Sequence, residues 1–187
     1  AARYQGEFKG WATEERNRRV EKAISLIKLV AHASISCAIP LRLHQSIVRG
    51  KVPSDFEDQQ LLAIFDVMTK TIENQIAAKS DEPVDFIFDD HQKWKLVVPW
   101  AYELMKAMSP PSYLPLMGGS PIFRDDKLVL PLQAADLQSW YFRRVFAEQL
   151  RGESFPHDLP REFFQNLDSI PSLMSVWDKW RLEDLYR

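Results

Sequence analysis

Apolar residues recur along this chain with two different spacings, and their alternation predicts an α/β protein with a largely parallel sheet. Ile35, Cys37 and Ile39 alternate with Ser34, Ser36 and Ala38, which is the period of a strand. A second run, Val84, Phe86, Ile87 and Phe88, is β-branched and aromatic and is broken only by Asp85. Around both, apolar residues return every three or four positions, the spacing that puts them on one face of a helix.

In chain order, a first helix is predicted from Thr13, read as an N-cap, with Glu14 and Glu15 in its first turn. Val20, Ala23, Ile24, Ile27, Val30 and Ala31 form its apolar stripe, and Arg16, Arg18, Arg19 and Lys22 crowd its outer face. Residues 33–41 then read as an interior strand ended by Pro40. Ser54 lies just after Pro53 and three residues before Glu57, which is a capping-box signature; Leu61, Phe65, Met68, Ile72 and Ile76 continue the helix it opens. Pro83 closes the following connection, and the strand over 84–88 ends in Asp89-Asp90-His91.

A shorter helix is expected over 100–108. Pro110-Pro111 and Gly118-Gly119 mark an irregular connection before an extended piece over 120–123, which 128–130 would prolong. From Pro131, well placed at a first helical position, to Leu150 there is neither glycine nor a further proline, so this is the longest late helix. After Pro160 the chain reads as helical again, interrupted at Pro171, with Leu173, Val176, Trp177 and Trp180 on its apolar side. The simplest layout is one α/β domain over 1–150 followed by a C-terminal helical extension over 151–187 packed on it.

Composition narrows the function classes. The chain has 187 residues, 45% of them apolar, and a chain of that length buries on the order of 70% of its unfolded surface, so its core requires neither disulfides nor a structural metal. The single Cys37 excludes an intramolecular disulfide framework and any multi-cysteine zinc site. No charge-free apolar run approaches the ~18 residues of a membrane span, so a soluble protein with no membrane partner is expected. Its 24 Lys+Arg against 26 Asp+Glu give no bulk attraction to nucleic acid, which would have to be held by a local basic patch. The lone thiol and the lack of an export signal fit a cytoplasmic setting. A chain that opens on Ala1 rather than Met is expected to lack upstream sequence.

There is no glycine-rich phosphate loop, dinucleotide fingerprint, HExxH zinc helix or GxSxG nucleophile elbow. Cys37, mid-strand among small and apolar neighbours, reads as a buried inert thiol rather than a nucleophile. Two acids remain. Asp89 follows an apolar strand, where open α/β sheets place their binding crevice, although Asp89-Asp90 also suits a plain turn. Asp136 sits among Ala134, Ala135, Leu137, Trp140, Tyr141 and Phe142, which suggests a helix covered on most sides and a buried carboxylate in need of a partner or a metal. Gln133, Asp136, Trp140 and Arg143 share a stripe, so the alternative is a solvated edge with Asp136 paired to Arg143. Two carboxylates form the hard-oxygen set that Mg²⁺ or Mn²⁺ prefers. His91 is a candidate proton carrier beside Asp89, while Asp125 and Asp126, between Arg124 and Lys127, read as a solvated turn.

The run Phe86-Ile87-Phe88-Asp89-Asp90, followed some forty residues on by Leu132-Gln133-Ala134-Ala135-Asp136-Leu137, resembles the family named domain of unknown function 3800. Phe8-Lys9-Gly10-Trp11 with Glu14-Glu15-Arg16 is similar to the stretch leading into that family's first long helix, so the resemblance covers about residues 7–150. It implies a ribonuclease H-like sheet flanked by helices, a divalent metal, and metal ligands at Asp89 and Asp136, with Gln133 orienting Asp136 or its water. The family's Asp-Glu-Ser-Gly motif is absent, which implies truncated first strands and a ligand outside these residues.

The function expected from this resemblance is metal-dependent hydrolysis of a phosphodiester in RNA or DNA. Arg16, Arg18, Arg19 and Lys22, or Arg143 and Arg144, would position the phosphate backbone. The rival expectation is a catalytically inactive module of the same fold that holds a protein partner, or a second copy of itself, through the aromatic C-terminal stretch around Trp177 and Trp180, the favoured alternative for those tryptophans being that they pack back onto the domain.

Overall fold

The computed structural model describes residues 12–48, 59–151 and 169–185, and it is a mixed α/β structure. Its described residues fall into two compact units: one drawn from Ala1–Ser34 and Val129–Ser172, the other from Ile35–Leu128 and Leu173–Arg187.

The first unit is built on two helices, α1 (Thr13–Val30) and α5 (Leu130–Arg151). Ile24 and Ile27 of α1 are buried with Ile170, and Val20 and Ala31 extend their row. Ala134, Leu137, Trp140 and Tyr141 of α5 pack against that row. Burying each isoleucine contributes roughly 1.5–3 kcal/mol, which secures a helix whose own propensity is unexceptional. The buried stripe is narrower than expected: Ala23 is exposed and Val30 is 70% exposed, because both sit to one side of the 20-24-27-31 row. Thr13 is the first helical residue rather than the cap, and Ala12 precedes it with no capping side chain.

The second unit contains β1 (Ser34–Ala38), α2 (Leu41–Val48), α3 (Gln59–Ala77), β2 (Ile87–Asp89), α4 (Gln92–Met108), β3 (Ile122–Arg124), β4 (Ser172–Val176) and α6 (Lys179–Leu185), where Ser34 and Ser172 mark its junctions with the first unit. Instead of one largely parallel sheet, the described strands form two separate pairs, β1 with β4 and β2 with β3.

β2 and β3 run parallel in the register Ile87 to Ile122, Phe88 to Phe123 and Asp89 to Arg124, and an isolated bridge joins Val84 to Met117 upstream. Alternation along a strand turns Phe86 and Phe88 inward onto Met68, Ile72, Tyr102, Met105, Leu116 and Met117. It leaves Asp85, Ile87 and Asp89 exposed on the opposite face. Gly118 permits the close approach of the two segments, since a Cβ there would lie 2.6 Å from the Val84 carbonyl oxygen.

α4 begins at Gln92, well before the expected 100–108, and carries Pro99 inside it. The proline removes one intrahelical hydrogen bond. Buried Val98, Ala101, Tyr102 and Met105, on one face, hold the helix across that gap, so packing outweighs the local breaker. Residues 126–128 form a 3₁₀ turn and Leu130 opens α5, so no strand continues there.

β1 was expected to be interior, but among the described residues it has β4 as its one strand neighbour. Both run the same way: the Ser34 N–H donates to the Pro171 carbonyl at 2.8 Å, and the Trp177 N–H to the Ala38 carbonyl at 3.0 Å. Ser172–Val176 is therefore a strand, not part of the expected helix, because the ladder offered by β1 satisfies its backbone. α2 is an element the sequence reading did not anticipate. Ile47, Val48, Trp177 and Leu182 form the core beneath this pair. Ser54, Glu57 and residues 152–168 lie outside the described residues.

Candidate functional site

Asp89 ends β2 and is exposed, and among the described residues its carboxylate takes no hydrogen bond or ion pair. The next acid is engaged differently: Lys95 Nζ lies 2.6 Å from Asp90 Oδ1, and the Asp90 N–H donates to the Arg124 carbonyl at 2.9 Å. His91 occupies the N-cap position of α4 with its side chain exposed, and its carbonyl accepts from the N–H groups of Trp94 and Lys95. Asp125 Oδ1 accepts the Lys127 N–H at 3.0 Å, as a solvated turn would arrange it.

Asp136 lies in the first unit, in the second turn of α5, and it is exposed. This corrects the expectation of a buried carboxylate. The apolar neighbours that suggested burial are consumed by one face of α5, on which Ala134, Leu137, Trp140 and Tyr141 meet α1, and Asp136 points off that face. Nor does it pair with Arg143, which is exposed; among the described residues Asp136 has no ion-pair partner. Gln133 is exposed one turn earlier.

The basic positions of α1 are largely directed at their own helix. Arg18 and Arg19 both bind Glu15, at 2.8 and 2.6 Å, and Arg16 donates to the Asn17 side chain at 2.7 and 2.9 Å. Arg19 first, then Arg18, hold the Glu15 carboxyl below its ordinary range. Exposed ion pairs of this kind contribute little to stability, and a phosphate would have to compete with Glu15 for both guanidinium groups. Lys22 is exposed, and the side chain of Arg144 lies outside the described residues.

The sequence reading missed a buried polar cluster in the second unit. Asp66 of α3 is buried, accepts from Ser175 Oγ of β4, and pairs with Arg181 Nη2 of α6 at 2.9 Å. The Arg181 guanidinium also stacks 4.2 Å from the Trp177 ring centroid. Burial pushes the nearby Cys37 thiol up to about 11; the neighbouring Ser175 hydroxyl opposes the rise and the Asp66 carboxylate adds to it. A thiol held that high carries little thiolate at neutral pH, and the contacts of Asp66 tie α3, β4 and α6 together. The one signal for it was an acid inside the otherwise apolar run 61–68.

Of the tryptophans proposed as a partner surface, Trp177 is buried in this core while Trp180 is 74% exposed. Among the described residues no group of three or more His, Cys, Asp or Glu side chains converges on a metal position, and no helix is long and apolar enough to cross a membrane. No protein-family model, curated protein or solved structure matches this chain.

Proposed function

We propose that this chain belongs to a ribonuclease H-like phosphodiester hydrolase acting on RNA or DNA, as its resemblance to the domain of unknown function 3800 family implies, and that it works in the cytoplasm, which its lone thiol fits. The observation that carries the reading is Asp89, exposed and unpartnered among the described residues, at the carboxyl end of a parallel strand pair. Asp89 and Asp136 both offer hard oxygens that no other described group occupies, which is donor chemistry that suits Mg²⁺ or Mn²⁺. A site with few protein carboxylates suits an ion that keeps several of its waters. When bound, such an ion lowers the pKa of a water and offsets charge on a phosphoryl group.

The chain's own residues would then divide the work. In the second unit Asp89 would offer the ion its carboxylate and His91 next to the strand end would carry a proton; in the first unit Asp136 would offer its own carboxylate, oriented by Gln133 one turn before it. Arg16, Arg19, Arg143 and Arg144 hold backbone phosphates.

The test is calorimetric titration of the chain with Mn²⁺, run beside Asp89→Asn and Asp136→Asn, with cleavage of labelled RNA and DNA as a second readout. Each variant is expected to lose about tenfold or more in Mn²⁺ affinity, equivalent to about 1.4 kcal/mol. Equal Mn²⁺ binding by the wild type and both variants would end the proposal.

A specific observation favours the rival reading of a protein-binding module. Leu96, Trp100, Leu104 and Met108 form an exposed row along α4 at four-residue spacing, with Leu96 81% and Met108 77% exposed. A partner-binding function would use this row rather than Trp177.

A further inference from the structure

We propose that Arg124 is the phosphate-binding residue beside Asp89, holding a non-bridging oxygen of a nucleic-acid backbone; this rests on the hydrolase reading above. Arg124 is the last residue of β3 and stands directly opposite Asp89 in the parallel register. Residues paired in this way project from the same face of a sheet. The stacked rings of Phe88 and Phe123, 5.8 Å apart, fix the opposite face one residue earlier. Asp89 and Arg124 therefore emerge side by side on the exposed face.

Adjacent opposite charges on neighbouring strands ordinarily pair with each other. These two do not: among the described residues Arg124 meets no carboxylate, and its guanidinium makes a single hydrogen bond, from Nη1 to the Phe123 carbonyl at 3.1 Å. Asp90, the acid that could have neutralised it, is taken by Lys95. Both members of the pair are thus left for outside ligands of opposite sign, a cation on Asp89 and an anion on Arg124. A phosphodiester suits the second role, because the planar fork of a guanidinium can give two parallel hydrogen bonds to its non-bridging oxygens. The arrangement places the anion's charge next to the carboxylate assigned to the metal, where a scissile phosphate has to lie.

The experiment measures binding of a fluorescein-labelled 20-nucleotide single-stranded RNA, and DNA of the same sequence, by anisotropy across a salt series in metal-free buffer. The wild type, Arg124→Ala and Arg124→Lys are compared, and Mn²⁺ affinity is measured separately on each. Arg124→Ala is expected to weaken binding about fivefold at 0.1 M salt and to reduce the slope of log K against log salt by about 0.7, the share of one phosphate contact. Arg124→Lys is expected to restore the slope, which counts charge, without restoring full affinity, which needs the fork. Mn²⁺ affinity stays unchanged in both. A wild type that binds neither oligonucleotide, or an Arg124→Ala with unaltered slope, would overturn the inference, as would a folded Arg124→Lys whose slope falls like that of the alanine variant. Loss of Mn²⁺ binding by Asp89→Asn, with the slope unaffected by Arg124, retains the metal site and removes only the phosphate contact. An Arg124-dependent slope without Mn²⁺ binding by the wild type does the reverse.

Discussion

Replacing Gly118 by alanine tests the junction that sets the Asp89–Arg124 register. The new Cβ would lie 2.3 Å from Asp85 Oδ1 and 2.6 Å from the Val84 carbonyl oxygen, where ordinary contact begins near 3.4 Å. The Asp85 carboxylate is exposed and can rotate away, giving up the hydrogen bond that its Oδ1 accepts from the Gly119 N–H at 3.0 Å. The Val84 carbonyl cannot, because it accepts the Gly118 N–H at 3.0 Å while the Val84 N–H donates to the Leu116 carbonyl at 2.8 Å. The two segments must separate by most of an ångström, straining those bonds and the one from Tyr102 Oη to the Gly118 carbonyl at 3.2 Å. Overpacking of this kind costs about 1–3 kcal/mol, and with three hydrogen bonds strained but not broken a loss at the upper end, about 3 kcal/mol, is expected. Because the chain contains two compact units, the loss is best read locally, by hydrogen exchange over 84–88 and 117–123. Protection there should fall by roughly 100-fold, while α1 and α5 keep theirs. Asp85→Ala added to Gly118→Ala should give little relief, because the backbone clash remains. Unchanged protection in Gly118→Ala, or full rescue by the double variant, would refute the steric argument.

Three further outcomes follow from the same geometry. Cys37, with its thiol raised from about 9 to about 11, should be alkylated at pH 8 about 100-fold more slowly than in the urea-unfolded chain, as followed by mass spectrometry. Because the folded state holds that proton more tightly, the contribution of this thiol to stability is complete below pH 9 and is lost as pH rises through 11, so urea midpoints should decline over that window. Asp66→Ala leaves the buried Ser175 hydroxyl without its acceptor and releases Arg181, and it should cost about 1–3 kcal/mol in urea unfolding, the half-exposed Arg181 recovering part of its loss in water.

Much of the helical layout could be read directly from periodicity. Thr13–Val30, the bulk of Gln59–Ala77 and Leu130–Arg151 each carry an apolar row at 3.6 spacing, a signal contained within the segment itself. The strand ending in Asp89 and the exposed turn at Asp125 were legible for the same reason. The errors cluster where a distant partner decides. Ser172–Val176 has no helix-breaking residue, and it becomes a strand because β1 supplies its ladder from more than a hundred residues away. Gln92–Met108 survives an internal proline because Val98, Ala101, Tyr102 and Met105 are buried against the rest of their core. Asp136 looked buried because its neighbours in sequence are apolar, but a helix distributes neighbours around its axis and only the α1-facing side is covered.

The candidate site divides in the same way. Sequence alone determined that the acids worth weighing were Asp89 and Asp136 and that no familiar phosphate loop or serine nucleophile competes with them, because residue type and local spacing are enough for those statements. Only the tertiary structure decided that Arg124 stands beside Asp89, that Asp90 is spent on Lys95, and that Asp66 is the buried acid. Strand register and core burial are set by contacts between segments far apart in the chain, and no local pattern encodes them.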